Sequence, residues 1–174
     1  MIVCTRSQIA AKYQDESLAR LSMRVGSWLL HRKRSVSTAE SCTGGWIAKC
    51  LTDVAGSSAW FLEGLVTYSN KAKIDRLGVQ PHILRRHGAV SEATVRAMAL
   101  GVLKSSGAAL SVAVSGIAGP GGASPGKPVG TVWLAWGELR GSKYHVISER
   151  RQFRGDRDLV RRKTVRRALL GLVR

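Results

Sequence analysis

Two short stretches of the chain carry the residue types of hydrolytic chemistry. The first is Glu40-Ser41-Cys42-Thr43-Gly44-Gly45, where a strand-like segment runs into a helix start. Backbone N–H groups converge at such a start, and with the helix dipole they favour negative charge. A serine hydroxyl there is suited to acyl chemistry, with an oxyanion or a phosphate held beside it. Gly44 and Gly45 let a substrate or another backbone come close. The pattern is neither a GxSxG elbow nor a P-loop, and an ordinary Ser/Thr-capped helix start accounts for it equally well.

A serine nucleophile needs a base. His31, His82, His87 and His145 show no HxH or HExxH spacing; none has a claim on the serine, and no metal is expected. His82 and His87 read as surface residues near a turn marked by Pro81 and Gly88. The second stretch, Tyr68-Ser69-Asn70-Lys71-Ala72-Lys73, offers amines instead. A lysine acts as a base only when neutral, which desolvation and nearby cations such as Arg76 both promote. With Ile74 and Leu77 facing inward on a helical wheel, Asn70 lies near the centre of the buried face. Lys73 is only slightly closer to it than Lys71, so the wheel leaves both in play. Tyr68 is placed to relay a proton or hold the serine. A strand end followed by a solvated charged helix describes the same residues without any chemistry.

Two further features could bind an anion. Residues 116–128 hold five Gly and three Pro after an apolar strand, and strand ends opening into Gly-rich loops are the usual ligand crevices of α/β sheets. Ser115, Gly116, Gly119 and the exposed backbone there suit a phosphate or ribose. In the last helix, Val165, Ala168, Leu169 and Leu172 form an apolar stripe. Arg161 sits on its edge and Arg157 one turn earlier, while Arg162, Lys163, Arg166 and Arg167 point more outward. An arginine on a core-facing stripe is expected to meet a structural carboxylate or an anionic ligand.

The elements that must position these groups follow from periodicity. Helices are expected over 7–31, about 40–54, 70–77, 91–106 and 156–173. Strands are expected over 35–39, 60–68, 110–115, 131–136 and 144–153. Helices and strands alternate early and strands run consecutively later, which predicts one α/β domain of 174 residues with a mixed sheet. No apolar run approaches the roughly 20 residues of a membrane span, and the N-terminus lacks a secretory pattern. Cys4, Cys42 and Cys50 form no disulfide or zinc framework and suit a reducing, cytoplasmic setting. The net charge of +17 invites anionic partners. Residues 150–174 hold ten Lys or Arg against Asp156 and Asp158; a solvated helix face is favoured there over a nucleic-acid stripe.

Several segments together resemble the CinA C-terminal domain family. They are Thr38–Gly45, Val66–Asn70 with Lys73, Leu77–Val79, His87–Glu92, Val114–Pro120, Lys127–Trp133, and Gly155-Asp156-Arg157 with Arg161. Order and spacing are compatible from about residue 35 onward, leaving residues 1–34 as a helical extension outside the strongest match. The resemblance implies an α/β/α sandwich, usually oligomeric. It implies an amidohydrolase that removes ammonia from nicotinamide mononucleotide, without a cofactor, in pyridine-nucleotide recycling. It maps the nucleophile to Ser41 and its partners to Tyr68 and Lys73, the pattern Tyr-Ser-Asn-x-x-Lys choosing Lys73 over Lys71. Backbone N–H groups near Thr43, Gly44 and Gly45 would hold the oxyanion. Asn70, Ser115, Gly116, Gly119 and Arg157 or Arg161 would hold the substrate. The chain departs from the pattern at Ala123 and in its strongly basic tail. That tail leaves open a second class, a catalytically weak or inactive member acting as a basic nucleic-acid-associated protein. Cys42 is the rival nucleophile.

Overall fold

The computed structural model describes residues 15–173. Every residue of β1 (Val36–Glu40) is buried, as are the first six of β3 (Leu110–Gly116), the condition of strands covered on both faces. The two strands lie side by side in parallel, with Val36 opposite Leu110 and Glu40 opposite Val114. β2 (Phe61–Val66) pairs in parallel with the other side of β1. β4 (Thr131–Arg140) and β5 (Lys143–Gln152) continue antiparallel from β3. The sheet is therefore mixed, in the order β2-β1-β3-β4-β5.

Alternation along the strands divides the core in two. On one side Val36, Val112, Val114, Val132 and Leu134 pack against α1 (Asp15–His31), α2 (Trp46–Thr52) and α6 (Arg157–Leu172), with Leu18, Ile47 and Leu169 among the contributors. On the other, Ala39, Ala113 and Ala135 pack against α3 (Asn70–Leu77), α4 (Pro81–His87) and α5 (Glu92–Ser106), through Leu77, Leu84 and Met98. This is the expected α/β/α sandwich. Among the described residues no helix is long and apolar enough to cross a membrane.

The topology gathers the candidate residues. β1, β2 and β3 are parallel, so the turns after them share one edge of the sheet; β5 runs in the same direction, and α6 starts at that edge too. Ser41, Tyr68, Gly119 and Arg157 each follow one of these strand ends.

Three expectations need correction, and a fourth lies partly outside the described residues. The second helix begins at Trp46, not near residue 40, so Ser41 lies in a turn ahead of it and does not cap it. Residues 81–87, read as a turn, form α4; Pro81 at its first position and Gly88 after its last are helix-end signals. The helix expected from residue 7 is seen from Asp15, residues 7–14 lying outside the described range. The basic residues of α6 do not simply point outward. Arg162 pairs with Asp158 and lies over the Trp46 ring. Lys163 donates to the Arg154 carbonyl. Arg167 pairs with Glu149 and lies over Trp136. Much of the tail's charge is thus spent in holding α6 to β5 and α2.

Gly101, on α5, marks the tightest junction behind the site. A Cβ there would lie 2.1 Å from the Leu77 carbonyl oxygen at the end of α3. Backbone cannot yield as a flexible side chain would, so Gly101→Ala should cost about 1–3 kcal/mol through overpacking. Urea unfolding should show a lower midpoint with an unchanged slope. An unchanged midpoint would mean the α3–α5 junction is looser than described.

Candidate active site

The turn that carries Ser41 is held from beneath by a carboxylate. Glu40, the last residue of β1, has no solvent exposure. Its Oε2 accepts from the Thr43 hydroxyl at 2.6 Å, the Gly45 N–H at 3.1 Å and the Ile47 N–H at 3.0 Å. Its Oε1 accepts from the Ala48 N–H at 2.8 Å. Glu40 thus caps α2 across the turn, replacing the absent side-chain cap at Gly45. A buried carboxylate is tolerable where several charge-assisted bonds meet it, and each donor left unpaired would cost about 1–3 kcal/mol. Sequence reasoning missed Glu40; the available signal was an acid ending a strand expected to be buried.

Two consecutive left-handed residues, Gly44 at φ 64° and Gly45 at φ 92°, let the chain reverse between β1 and α2. Side chains would be strained at both. The Gly44 N–H donates to the Ser41 carbonyl at 3.1 Å, and that of Gly45 is taken by Glu40. The expectation that these two amides serve an oxyanion is corrected accordingly: both are spent. The Ser41 N–H is bonded to the Val114 carbonyl at 3.1 Å. Among the described residues, the N–H groups of this turn that meet no backbone acceptor are those of Cys42 and Thr43, the Cys42 N–H facing its own thiol.

Lys73 reaches Ser41 from α3. Its Nζ lies 3.2 Å from Ser41 Oγ, 2.8 Å from the Thr67 carbonyl and 3.2 Å from the Tyr68 carbonyl. Lys73 is 1% exposed, and no ion pair meets its amine among the described residues. Burial without a counter-charge disfavours the ammonium and pulls its pKa below the ordinary lysine value. Lys71 has the opposite environment: its side chain is 84% exposed and paired with Asp75 one turn on. The two amines that the helical wheel scarcely separated are clearly separated by the fold.

The other expected residues are distributed around this pair. Tyr68 is 61% exposed. Its hydroxyl bonds neither Ser41 nor Lys73 but accepts from Arg157 Nη2 at 3.3 Å; what reaches the lysine is the Tyr68 backbone carbonyl. Arg157, itself exposed, also donates to the Gly119 carbonyl at 2.8 Å and so ties the Gly-rich loop to the tyrosine. Asn70 is exposed, not centred on the buried face, because it is the first residue of α3. Ser115 is buried, on the α3 and α5 side of β3. Gly116 makes room for β4: a Cβ there would lie 2.7 Å from Val132 Cγ2 and 2.8 Å from the Thr131 carbonyl oxygen.

Arg161 meets no carboxylate among the described residues; its contacts are backbone carbonyls and an aromatic ring. Its Nε donates to the Cys42 carbonyl at 3.2 Å, its Nη2 to the Thr43 carbonyl at 2.8 Å, and the guanidinium stacks on Trp46 at 5.1 Å. Cys42 is part of the core against α1, α2 and α6. Burial pushes its thiol up to about 12, so it stays protonated at neutral pH and is a poor rival nucleophile. No cluster of metal-binding side chains occurs among the described residues.

A family model described as the CinA C-terminal domain matches residues 18–174. The match takes in most of α1, which the segments read from the sequence left outside. Similar curated proteins include the nicotinamide-nucleotide amidohydrolase PncC of Pseudomonas putida, 55% identical over 158 residues covering 91% of this chain and 96% of the relative. The protein of the same name from Escherichia coli is 54% identical over 155 residues, 89% of this chain and 92% of the relative. Among solved structures, the competence/damage inducible protein CihA from Agrobacterium tumefaciens aligns with a TM-score of 0.84 at 46% identity, covering 92% of this chain and 94% of that one.

The buried amine has a thermodynamic signature. A lysine whose folded pKa is lowered carries a penalty that is full while both states are protonated. The penalty fades as pH rises from the lowered folded value toward the unfolded value of 10.5. Lys73→Met removes it. The stability advantage of Lys73→Met over the parent protein, measured by urea unfolding at stepped pH, should therefore shrink as pH rises through that window. A pH-independent difference would show that the amine keeps its ordinary pKa in the fold.

Proposed function

This chain belongs to the CinA C-terminal domain family, and from that membership we propose that it is a serine-type nicotinamide-nucleotide amidohydrolase. Its reaction is hydrolysis of the carboxamide of nicotinamide mononucleotide, giving nicotinic acid mononucleotide and ammonia, in pyridine-nucleotide recycling. The observation that carries the catalytic part is the buried Lys73 amine 3.2 Å from Ser41 Oγ. The relatives named for this activity cover nearly the whole chain and support the choice of substrate.

A neutral amine has two N–H bonds and one lone pair. With the N–H groups directed at the Thr67 and Tyr68 carbonyls, the lone pair is left for the Ser41 hydroxyl, which then donates. Lys73 takes the serine proton as Oγ adds to the carboxamide carbon. The resulting ammonium is stabilised by the two carbonyls, and it returns the proton to the departing nitrogen as ammonia leaves. Water enters against the acyl-serine, gives its proton to Lys73, and the acid is released as Ser41 regains a proton. The oxyanion is met by the Cys42 and Thr43 amides. The exposed Arg157 guanidinium, with the Gly119 loop and Tyr68, supplies positive charge for the phosphate. Asn70 and Ser115 flank the same edge and contribute to the ribose contacts. A homo-oligomer belongs to the same reading.

The nucleic-acid alternative loses support, because the cations it invoked on α6 are largely paired within the chain.

With nicotinamide mononucleotide as substrate, Ser41→Ala should abolish ammonia release, by a factor of about 10³ or more. Lys73→Met should do the same, whereas Lys71→Met should stay within about twofold of the parent. Full turnover by Ser41→Ala would remove the serine mechanism, and a larger loss in Lys71→Met than in Lys73→Met would transfer the base role. The log of kcat/KM should rise with pH on an acid limb whose midpoint lies below 10.5, because the active form is the neutral amine. A limb at or above that value would contradict the assignment of Lys73 as base.

A further inference from the structure

Arg161 stands out because a cation near an anion-binding site spends itself on backbone carbonyls. The geometry points to a positioning role, and we propose that Arg161 orients the peptide unit whose Thr43 N–H receives the oxyanion. This rests on the hydrolase reading above.

Peptide planarity supplies the first step. In a trans peptide the carbonyl and the following N–H point in opposite directions, and the one cis bond described is Gly119–Pro120. The Cys42 carbonyl is directed at Arg161 Nε, so the Thr43 N–H of the same unit is directed away from Arg161. The next unit obeys the same rule. The Thr43 carbonyl is directed at Arg161 Nη2, and its Gly44 N–H turns back to the Ser41 carbonyl.

The layers supply the second step. Arg161 belongs to α6, which packs on one face of the sheet. Lys73 belongs to α3, on the other face, and Ser41 Oγ lies against Lys73. The turn at the end of β1 sits between the two layers. On this proposal the Thr43 N–H, directed away from α6 and buried in the turn, faces the side where Ser41 meets Lys73. The Thr43 side chain cannot compensate for a rotated unit, because its hydroxyl is held by Glu40.

A cation on the carbonyl side also polarises the peptide and strengthens its N–H as a donor. Stacking on Trp46 fixes the guanidinium plane that addresses both carbonyls. Lysine, a point charge without the fork, can hold one carbonyl but not both units in register.

This role differs from phosphate binding in what it does to the kinetics. An oxyanion donor acts in the transition state, so its misorientation lowers kcat and leaves KM nearly unchanged. A lost phosphate ligand raises KM. The experiment is steady-state ammonia release from nicotinamide mononucleotide by the parent protein, Arg161→Lys and Arg161→Met, with folding checked by thermal unfolding and circular dichroism.

The expected result is a kcat loss of about 10-fold for Arg161→Lys and about 100-fold or more for Arg161→Met, with KM within about threefold. A rise in KM of tenfold or more at near-parental kcat would overturn the proposal and make Arg161 a substrate ligand. So would parental kinetics in both variants. If Arg161→Met does not fold, Arg161→Lys alone decides by the same split between kcat and KM. No ammonia release by the folded parent protein would instead contradict the hydrolase reading on which the proposal stands.

Discussion

A primary amine taken out of water without a partner charge is the constraint around which this molecule is organised. Lys73 is almost wholly buried, and what meets its nitrogen is two carbonyl oxygens and one hydroxyl. Such a site cannot arise from a helix and a loop alone. It needs α3 packed into its layer, which the buried Leu77 and its close approach to Gly101 of α5 secure. It needs the chain after β2 to turn so that the Thr67 and Tyr68 carbonyls face inward. It also needs the end of β1 to present a hydroxyl at the same point. The cost of burying the amine is borne by the two core layers on either side of the sheet.

The nucleophile turn is held by two opposite charges. Glu40 gathers donors at the start of α2, and Arg161 gathers carbonyls from α6. Together they meet the Thr43 hydroxyl, the Gly45, Ile47 and Ala48 amides and the Cys42 and Thr43 carbonyls. What meets no backbone acceptor, among the described residues, is a pair of amides beside the reactive hydroxyl. A turn whose other hydrogen bonds are already satisfied has little freedom to relax, and such preorganisation is what lets fixed dipoles stabilise developing charge.

Much of this was legible in the sequence. The β1 segment is short and β-leaning, and the β3 segment is a short apolar run. The Ser41 turn and the Tyr68–Lys73 stretch stood out by residue type and spacing, and the family resemblance singled out Lys73. Less accessible were the contacts made across long sequence separations. The helical wheel could not divide Lys71 from Lys73, because the direction from which α3 is covered depends on α5 and the sheet. Glu40 and Arg161 take roles defined by backbone atoms, which leave no trace in side-chain patterns. For Arg161 the place on an apolar stripe pointed to a carboxylate or a ligand, and the fold brings two carbonyls and an indole to it. Helix α4 was missed because Pro81 and Gly88, which delimit a seven-residue helix, are also turn residues. The basic tail misled in a similar way, since net charge does not reveal that Glu149 and Asp158 are placed to absorb it.

The account depends most directly on the protonation state of one nitrogen. Carbon-13 labelling at the lysine ε position, with Lys73 assigned by comparison with Lys73→Met, allows that nitrogen to be titrated by nuclear magnetic resonance. The structure predicts a Lys73 midpoint displaced below the ordinary value of 10.5, while exposed lysines such as Lys71 titrate normally. A Lys73 midpoint at or above 10.5 would mean the amine is charged at working pH and cannot take the proton of Ser41.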